Sequence, residues 1–321
     1  MIDDGTDRVD GSGYAPTELL DAAFGGGPDL TSGLIDLATG ATGHSPMRRW
    51  LAAVVLGGQG RYAAAAGWLK PLLCGHDPVV ASLAGSTLAS HLRQLGGHAQ
   101  ARRYDAEALR KLTVATRSPV DGRYGIGGTG ARVDALLGLA ADAIGLGRTA
   151  EAAALHGAAI RAARGAPAWR ITVRVHWVAA ELALSTDRPD VALRHAEHAR
   201  GAAAAVGAVR HTVKSIMLAG AAAAAGGTPD GRRHAAGLLT EALDVSLTRG
   251  MAPLAWPSAL LLADVAPERR EHFTKIARNA LTSIFTRSDS EMRRIISASP
   301  WMPGSLVCSG EPTRTGVELT T

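Results

Sequence analysis

The strongest constraint on this chain is that it aligns with itself. Gly60, Gly96, Gly147, Asp187 and Gly227 recur at spacings of 36, 51, 40 and 40 residues. Seven residues before each stands a small residue: Ala53, Ala89, Ala140, Ala180 and Gly220. Five after the first four stands alanine (Ala65, Ala101, Ala152, Ala192), and in the fifth unit, with its longer turn, the match is Ala235. Seven further on come Leu72, Ala108, Ala159, Ala199 and Ala242, mostly followed by a larger apolar residue (Leu73, Leu109, Ile160, Leu243). Small residues near the end of one helix and the start of the next let antiparallel helices approach closely. The Gly or Asp between them sits where the chain reverses and a left-handed or turn-compatible backbone is needed. The larger Leu and Ile are expected to bury against the neighbouring hairpin. One such hairpin cannot bury its own apolar face, so several must stack.

The unit from Trp50 to Pro78 carries a Gly60-x-Tyr62 turn, Ala65, apolar Leu69 and a closing Asp77-Pro78. With the following unit, Leu88 to Leu109, it resembles the tetratricopeptide repeat family. The resemblance covers roughly residues 46–286; later units lack the aromatic at the turn and the terminal proline. It implies an all-α fold, a right-handed solenoid of five to six antiparallel helical hairpins. The sixth is expected over 252–286, with Pro267 at its turn. Ser288-Asp-Ser-Glu291 reads as a capping box that opens a short helix, about 288–299, covering the exposed end of the stack. The expected organisation is an acidic, largely disordered arm over 1–45, a repeat domain over 46–302 with a loop insertion at 118–130, and a disordered tail over 303–321.

Alanine, the best helix former, dominates an apolar fraction of 46%, with aromatics at only 4%. Only four of the 34 basic residues are lysine, and this Arg, Ala and Gly enrichment is what a GC-rich genome produces. Cys74 and Cys308 lie far apart and suggest neither a disulfide framework nor a zinc site. The N-terminus is acidic without an apolar run, and no segment reaches the ~20 apolar residues needed to cross a bilayer. A soluble, cytoplasmic protein is the expectation. Charge is uneven: residues 1–47 carry a net −7 and the remainder +12.

No catalytic motif survives inspection, and no cofactor or metal is expected. Gly125-Ile-Gly127-Gly-Thr-Gly130 matches G-x-G-x-x-G, but the stretch before it is polar and turn-forming rather than a buried strand. A loop between repeats is the preferred account, with ligand contact by its glycines and Arg123 left open. His195-Ala-Glu-His198 has metal-site spacing but no third ligand. Trp50, Trp68, Trp169, Trp177 and Trp256 fall in helices, where core packing is the default. Trp301, in Ser-Pro-Trp-Met-Pro, is either a terminal plug or a docking motif.

Two cation pairs stand out. Arg170 and Arg174 lie i,i+4 near the start of one first helix, and Arg210 and Lys214 repeat the pattern 40 residues later; Arg132 lies near the same level one unit earlier. Stacked repeats would set these five on one ladder, the alternative being a solvated basic face. The family resemblance implies that first helices line a concave groove and that such cations clamp acidic peptides, although the clamp's asparagines are absent here. The expected function is a non-catalytic adaptor or regulator binding an acidic or amphipathic segment of a partner protein. Because such arrays occur as ligand-sensing parts of bacterial transcription regulators, transcription regulation is one setting the resemblance implies. The alternatives are nucleic-acid binding by the basic body, and a small-molecule enzyme or sensor with an unrecognised site. One further expectation concerns the arm: its apolar stretch Glu18 to Phe24 visits the basic groove as a stand-in for the partner, the alternative being a solvated arm that aids solubility.

Overall fold

A computed structural model describes residues 17–24, 45–113, 121–166, 168–300 and 302–303. Among them lie fourteen α-helices, one short 3-10 turn and no strand. Helix α1 spans Thr17–Phe24. Six helix pairs follow: α2 (Pro46–Gly58) with α3 (Tyr62–Leu72), α4 (Pro78–Gln94) with α5 (His98–Lys111), α6 (Gly128–Gly145) with α7 (Thr149–Ala162), α8 (Trp169–Ser185) with α9 (Pro189–Ala204), α10 (Val209–Ala225) with α11 (Pro229–Thr248), and α12 (Ala252–Val265) with α13 (Arg270–Thr286). Helix α14 spans Ser290–Ala298. Consecutive helices pack on one another along the chain. No helix among the described residues is long and apolar enough to cross a membrane.

The five marker residues all take a left-handed backbone: φ is 75° at Gly60, 78° at Gly96, 71° at Gly147, 54° at Asp187 and 71° at Gly227. In the first four turns the hydrogen bonds are those of a Schellman motif. At Gly60, for instance, its N–H reaches Gly57 O (3.0 Å) and the N–H of Arg61 reaches Leu56 O (2.9 Å). Asp187 is the single non-glycine in this conformation among the described residues. In the fifth turn Thr228 instead caps α11, accepting from the N–H of Gly231 at 3.0 Å.

The small residues meet where the helices cross. Ala53, Ala89, Ala140 and Ala180 are fully buried, as are Ala65, Ala101, Ala152, Ala192 and Ala235. At Gly220 a methyl group would fall 2.7 Å from Leu239, so a larger residue at this crossing of α10 and α11 would have to displace that side chain. One expectation fails here. Ile160 is exposed, because Ala159 takes the seam of α7 and the next residue turns about 100° away from it.

The two ends of the array touch. The N–H of Ala63 donates to Arg287 O (3.0 Å), and a methyl at Gly60 would meet Ile284 and Pro253. Helix α14 buries Met292, Ile295 and Ile296, and Ile295 abuts Gly97 in the turn of the second hairpin. The closing helix thus lies against the opening repeats rather than over a free end. Its cap is Asp289, which accepts from the N–H of Met292 (2.9 Å), and not Ser288. The Ser288 hydroxyl is buried and donates to Ile284 O instead. Of the acidic arm, α1 and Ser45 are described; residues 118–120 of the insertion, Trp301 and the tail beyond 303 lie outside the described residues.

Candidate functional site

The first helices of all six pairs, α2, α4, α6, α8, α10 and α12, line a single cavity of about 310 Å³. The turn markers index its wall. Ten residues before each stand Trp50, Ser86, Leu137, Trp177 and Met217, and all five face the cavity. Thirteen before the last three stand Asp134, Arg174 and Lys214, and six before the first four stand Val54, Ser90, Ala141 and Glu181; these face it too. Offsets of three and seven residues mark one face of a helix, so each repeat presents the same face inward. The sixth pair adds Pro253, Leu254, Trp256 and Pro257.

Four of the five ladder cations meet here: Arg170, Arg174, Arg210 and Lys214. Arg132 does not. It is exposed, and the residue in register with Arg174 and Lys214 is Asp134, two positions on and about 200° around the helix. The third rung is therefore an anion. Asp134 accepts from Arg170 (2.8 Å) and lies 2.8 Å from Arg174 Nε. Arg170 also donates to Tyr124 O (2.8 Å) and Gly125 O (2.6 Å). Lys214 pairs with Glu181 at 3.1 Å and sits 4.5 Å over the Trp177 ring. Arg93 is held by Asp105 and by Asp142 (2.7 Å), both fully buried. Gly138 allows this cluster, since a methyl there would collide with Asp105.

Arg210 has no hydrogen-bond or ion-pair partner among the described residues. Its guanidinium reaches across the cavity to Gly58, where a methyl would lie 2.7 Å from it. Burial, with Arg174 and Arg170 nearby, lowers its pKa to about 10. His91 seats against the adjacent Gly57, and burial and then Arg210 push it down to about 3. His211 is likewise held well below its ordinary value, first by burial and then by Arg210. Both imidazoles are thus neutral, and the Nδ1 of each lacks a hydrogen-bond partner.

Aromatic rings complete the wall. His211 stacks on Trp177 (5.1 Å, 14°) and meets the edge of Trp169 (4.9 Å). Trp50 donates to Thr87 Oγ1 at 2.9 Å. Trp50, Trp177 and Trp256 therefore face the cavity rather than serving only as core. Into this wall comes α1. Phe24 is 2% exposed and lies 5.8 Å from both Trp50 and Tyr124, with the Arg170 guanidinium 5.3 Å over its ring. Leu19 is fully buried, and Tyr124 donates to Asp21 at 3.2 Å.

Other motifs resolve differently. Gly125 takes φ 61°, and a methyl at Gly130 would collide with Gly125 O. The first free N–H groups of α6, at Thr129 and Gly130, are taken by the Asp121 carboxylate (3.0 and 2.8 Å). That carboxylate fills the place a phosphate would need. Arg123 is exposed beside the Tyr124 ring. His195 faces His176, Nδ1 to Nδ1 at 2.9 Å, while His198 Nδ1 contacts Arg194 O (2.7 Å). Among the described residues, no three side chains form a group able to hold a metal ion.

Sequence reasoning missed Asp134, His211 and the inward tryptophans. The spacing that found Arg174 and Lys214 would have found Asp134 thirteen residues before Gly147. No protein-family model matches the chain, and no curated protein matches it either.

Proposed function

We propose that this protein is a non-catalytic helical-repeat adaptor or regulator whose cavity holds an acidic, amphipathic segment of a partner protein. The array is read as a tetratricopeptide-like right-handed solenoid whose ends have met, leaving the concave groove as an internal cavity. The observation that carries the reading is α1 itself. A short segment from the acidic arm, with Phe24 between Trp50 and Tyr124 and Asp21 on Tyr124, already occupies the kind of site a partner segment would need. Phe24 meets residues up to 187 positions away, at His211, so α1 behaves as a tethered ligand. Tethering gives an effective concentration in the millimolar range, so α1 competes with any partner and lowers its apparent affinity. A cavity of about 310 Å³ is of a size for side chains and a short helix edge.

Fluorescence anisotropy with a labelled peptide of sequence Thr17 to Phe24 tests this. The Phe24→Ala chain is expected to bind it several-fold more tightly than the natural chain at low salt, with the gain shrinking as salt rises. Arg174→Glu/Lys214→Glu is expected to abolish binding while helical circular dichroism is retained. Equal affinity with and without Phe24, or binding that survives both reversals, contradicts the reading. A gel shift at low salt is expected to show no retarded nucleic acid.

A further inference from the structure

We infer that the cavity contains a site for a single carboxylate, with Arg210 as its anchor. This rests on the cavity being the binding site, and it names the chemistry that the cavity selects. Five cations belong to the cavity: Arg93, Arg170, Arg174, Arg210 and Lys214. Four carboxylates answer them. Asp105 and Asp142 hold Arg93, Asp134 serves Arg170 and Arg174 together, and Glu181 holds Lys214. Of the five, Arg210 is the cation with no hydrogen-bond or ion-pair partner among the described residues.

A guanidinium drawn out of bulk water without a counter-charge is costly. The fold nonetheless makes room for it. Two consecutive glycines at the end of α2, Gly57 and Gly58, supply the space in which His91 and Arg210 lie. The carbonyl end of α2 offers the cation partial charge, but no carboxylate. Arg presents a planar fork of donors that matches a carboxylate two bonds at a time, a match lysine cannot make. The neutral His91 and His211 stand beside it, the buried Nδ1 of each without a hydrogen-bond partner among the described residues. Around these polar groups stand Trp50, Trp177 and Phe24, so the ligand carrying the carboxylate has an aromatic or apolar body.

The carboxylate has two sources, an acidic group of a partner segment or a free aromatic acid. Titration calorimetry on the full chain separates them with three probes: 3-phenylpropanoate, its neutral amide, and the Thr17 to Phe24 peptide. The acid is expected to bind at least tenfold more tightly than the amide. Arg210→Gln is expected to erase that preference and Arg210→Lys to restore only part of it, while the exposed Arg132→Gln leaves it unchanged. Circular dichroism verifies that each variant is folded, and the Arg210→Lys arm retains a charge should the glutamine variant prove unstable. Equal binding of acid and amide by the natural chain, or a preference that survives Arg210→Gln, overturns the carboxylate site. Arg210-dependent binding of the acid without binding of the peptide keeps the site and rejects the partner-segment reading. Peptide binding that ignores Arg210 keeps the partner-segment reading and rejects the site.

Discussion

Helices α6 and α7 form one hairpin yet are buried to very different degrees. In α6 thirteen of eighteen residues are buried, including Asp134, Asp142 and Leu137, whereas α7 buries only Ala152 and Ala159. The fourth pair repeats the contrast: α8 buries Arg170, Val173 and Trp177, while α9 buries a seam of four alanines, Ala192, Ala196, Ala199 and Ala203. In these two pairs the outer helix is attached by alanine methyl groups on one edge. An inner helix packs on both neighbours and also faces the cavity, so any polar group it carries must find a partner inside the protein. In these two pairs the buried charge sits on the first helix and the second acts as a buttress, whereas in the second pair the outer helix α5 contributes the buried Asp105.

The inner ion cluster offers the sharpest way to break that contrast. Arg93→Met strands the buried carboxylates Asp105 and Asp142, and urea denaturation is expected to show a loss of about 3–5 kcal/mol. Arg194→Ala on α9 removes an exposed pair with Asp190 and is expected to leave the urea midpoint unchanged. The seam comes next. Ala180→Leu overpacks the α8–α9 crossing and is expected to cost about 1–3 kcal/mol, whereas Ala153→Leu on the solvated face of α7 is expected to be neutral.

A pH effect sits at the junction of inner and outer helices. Burial, with His195 and His198 nearby, lowers His176 from 6.5 to about 4. Between these values the unfolded chain binds the proton and the folded chain does not, so stability falls as pH drops from about 6.5 to about 4. Allowing for solvent screening, His176 contributes about 1 kcal/mol of that loss. Urea midpoints across this window are expected to slope less in His176→Gln, with residual slope from His91 and His211, whose shifts have the same sign. Smallest is the cap of α14, where Asp289→Ala is expected to cost about 1 kcal/mol in the same assay.

Much of this was legible in the sequence because the repeat is carried by small residues with no alternative role. Gly60, Gly96, Gly147 and Gly227 mark left-handed turns, and Asp187 takes the same conformation through its short polar side chain. The ladder was partly legible, since a period of 40 residues relates Arg170 to Arg210 and Arg174 to Lys214. Arg132 was misplaced because charge was matched instead of register, and a shift of two residues carries a side chain to the far side of its helix. The charge contrast and apolar stretch of the arm pointed Glu18 to Phe24 toward the groove, but the meeting of Gly60 with Ile284 left no trace in local pattern. Such contacts depend on how much each hairpin rotates relative to the last, which no single repeat encodes.

The central claim is that the inner face of the first helices is the binding surface and that α1 occupies it until a partner segment arrives. Amide hydrogen exchange on the full chain, with and without excess Thr17 to Phe24 peptide, tests both halves at once. The expected result is increased protection in α8 and α10 together with faster exchange in α1, and no change in α9 or α11. Protection confined to the outer helices, or an α1 whose exchange is unchanged at saturating peptide, would contradict the account.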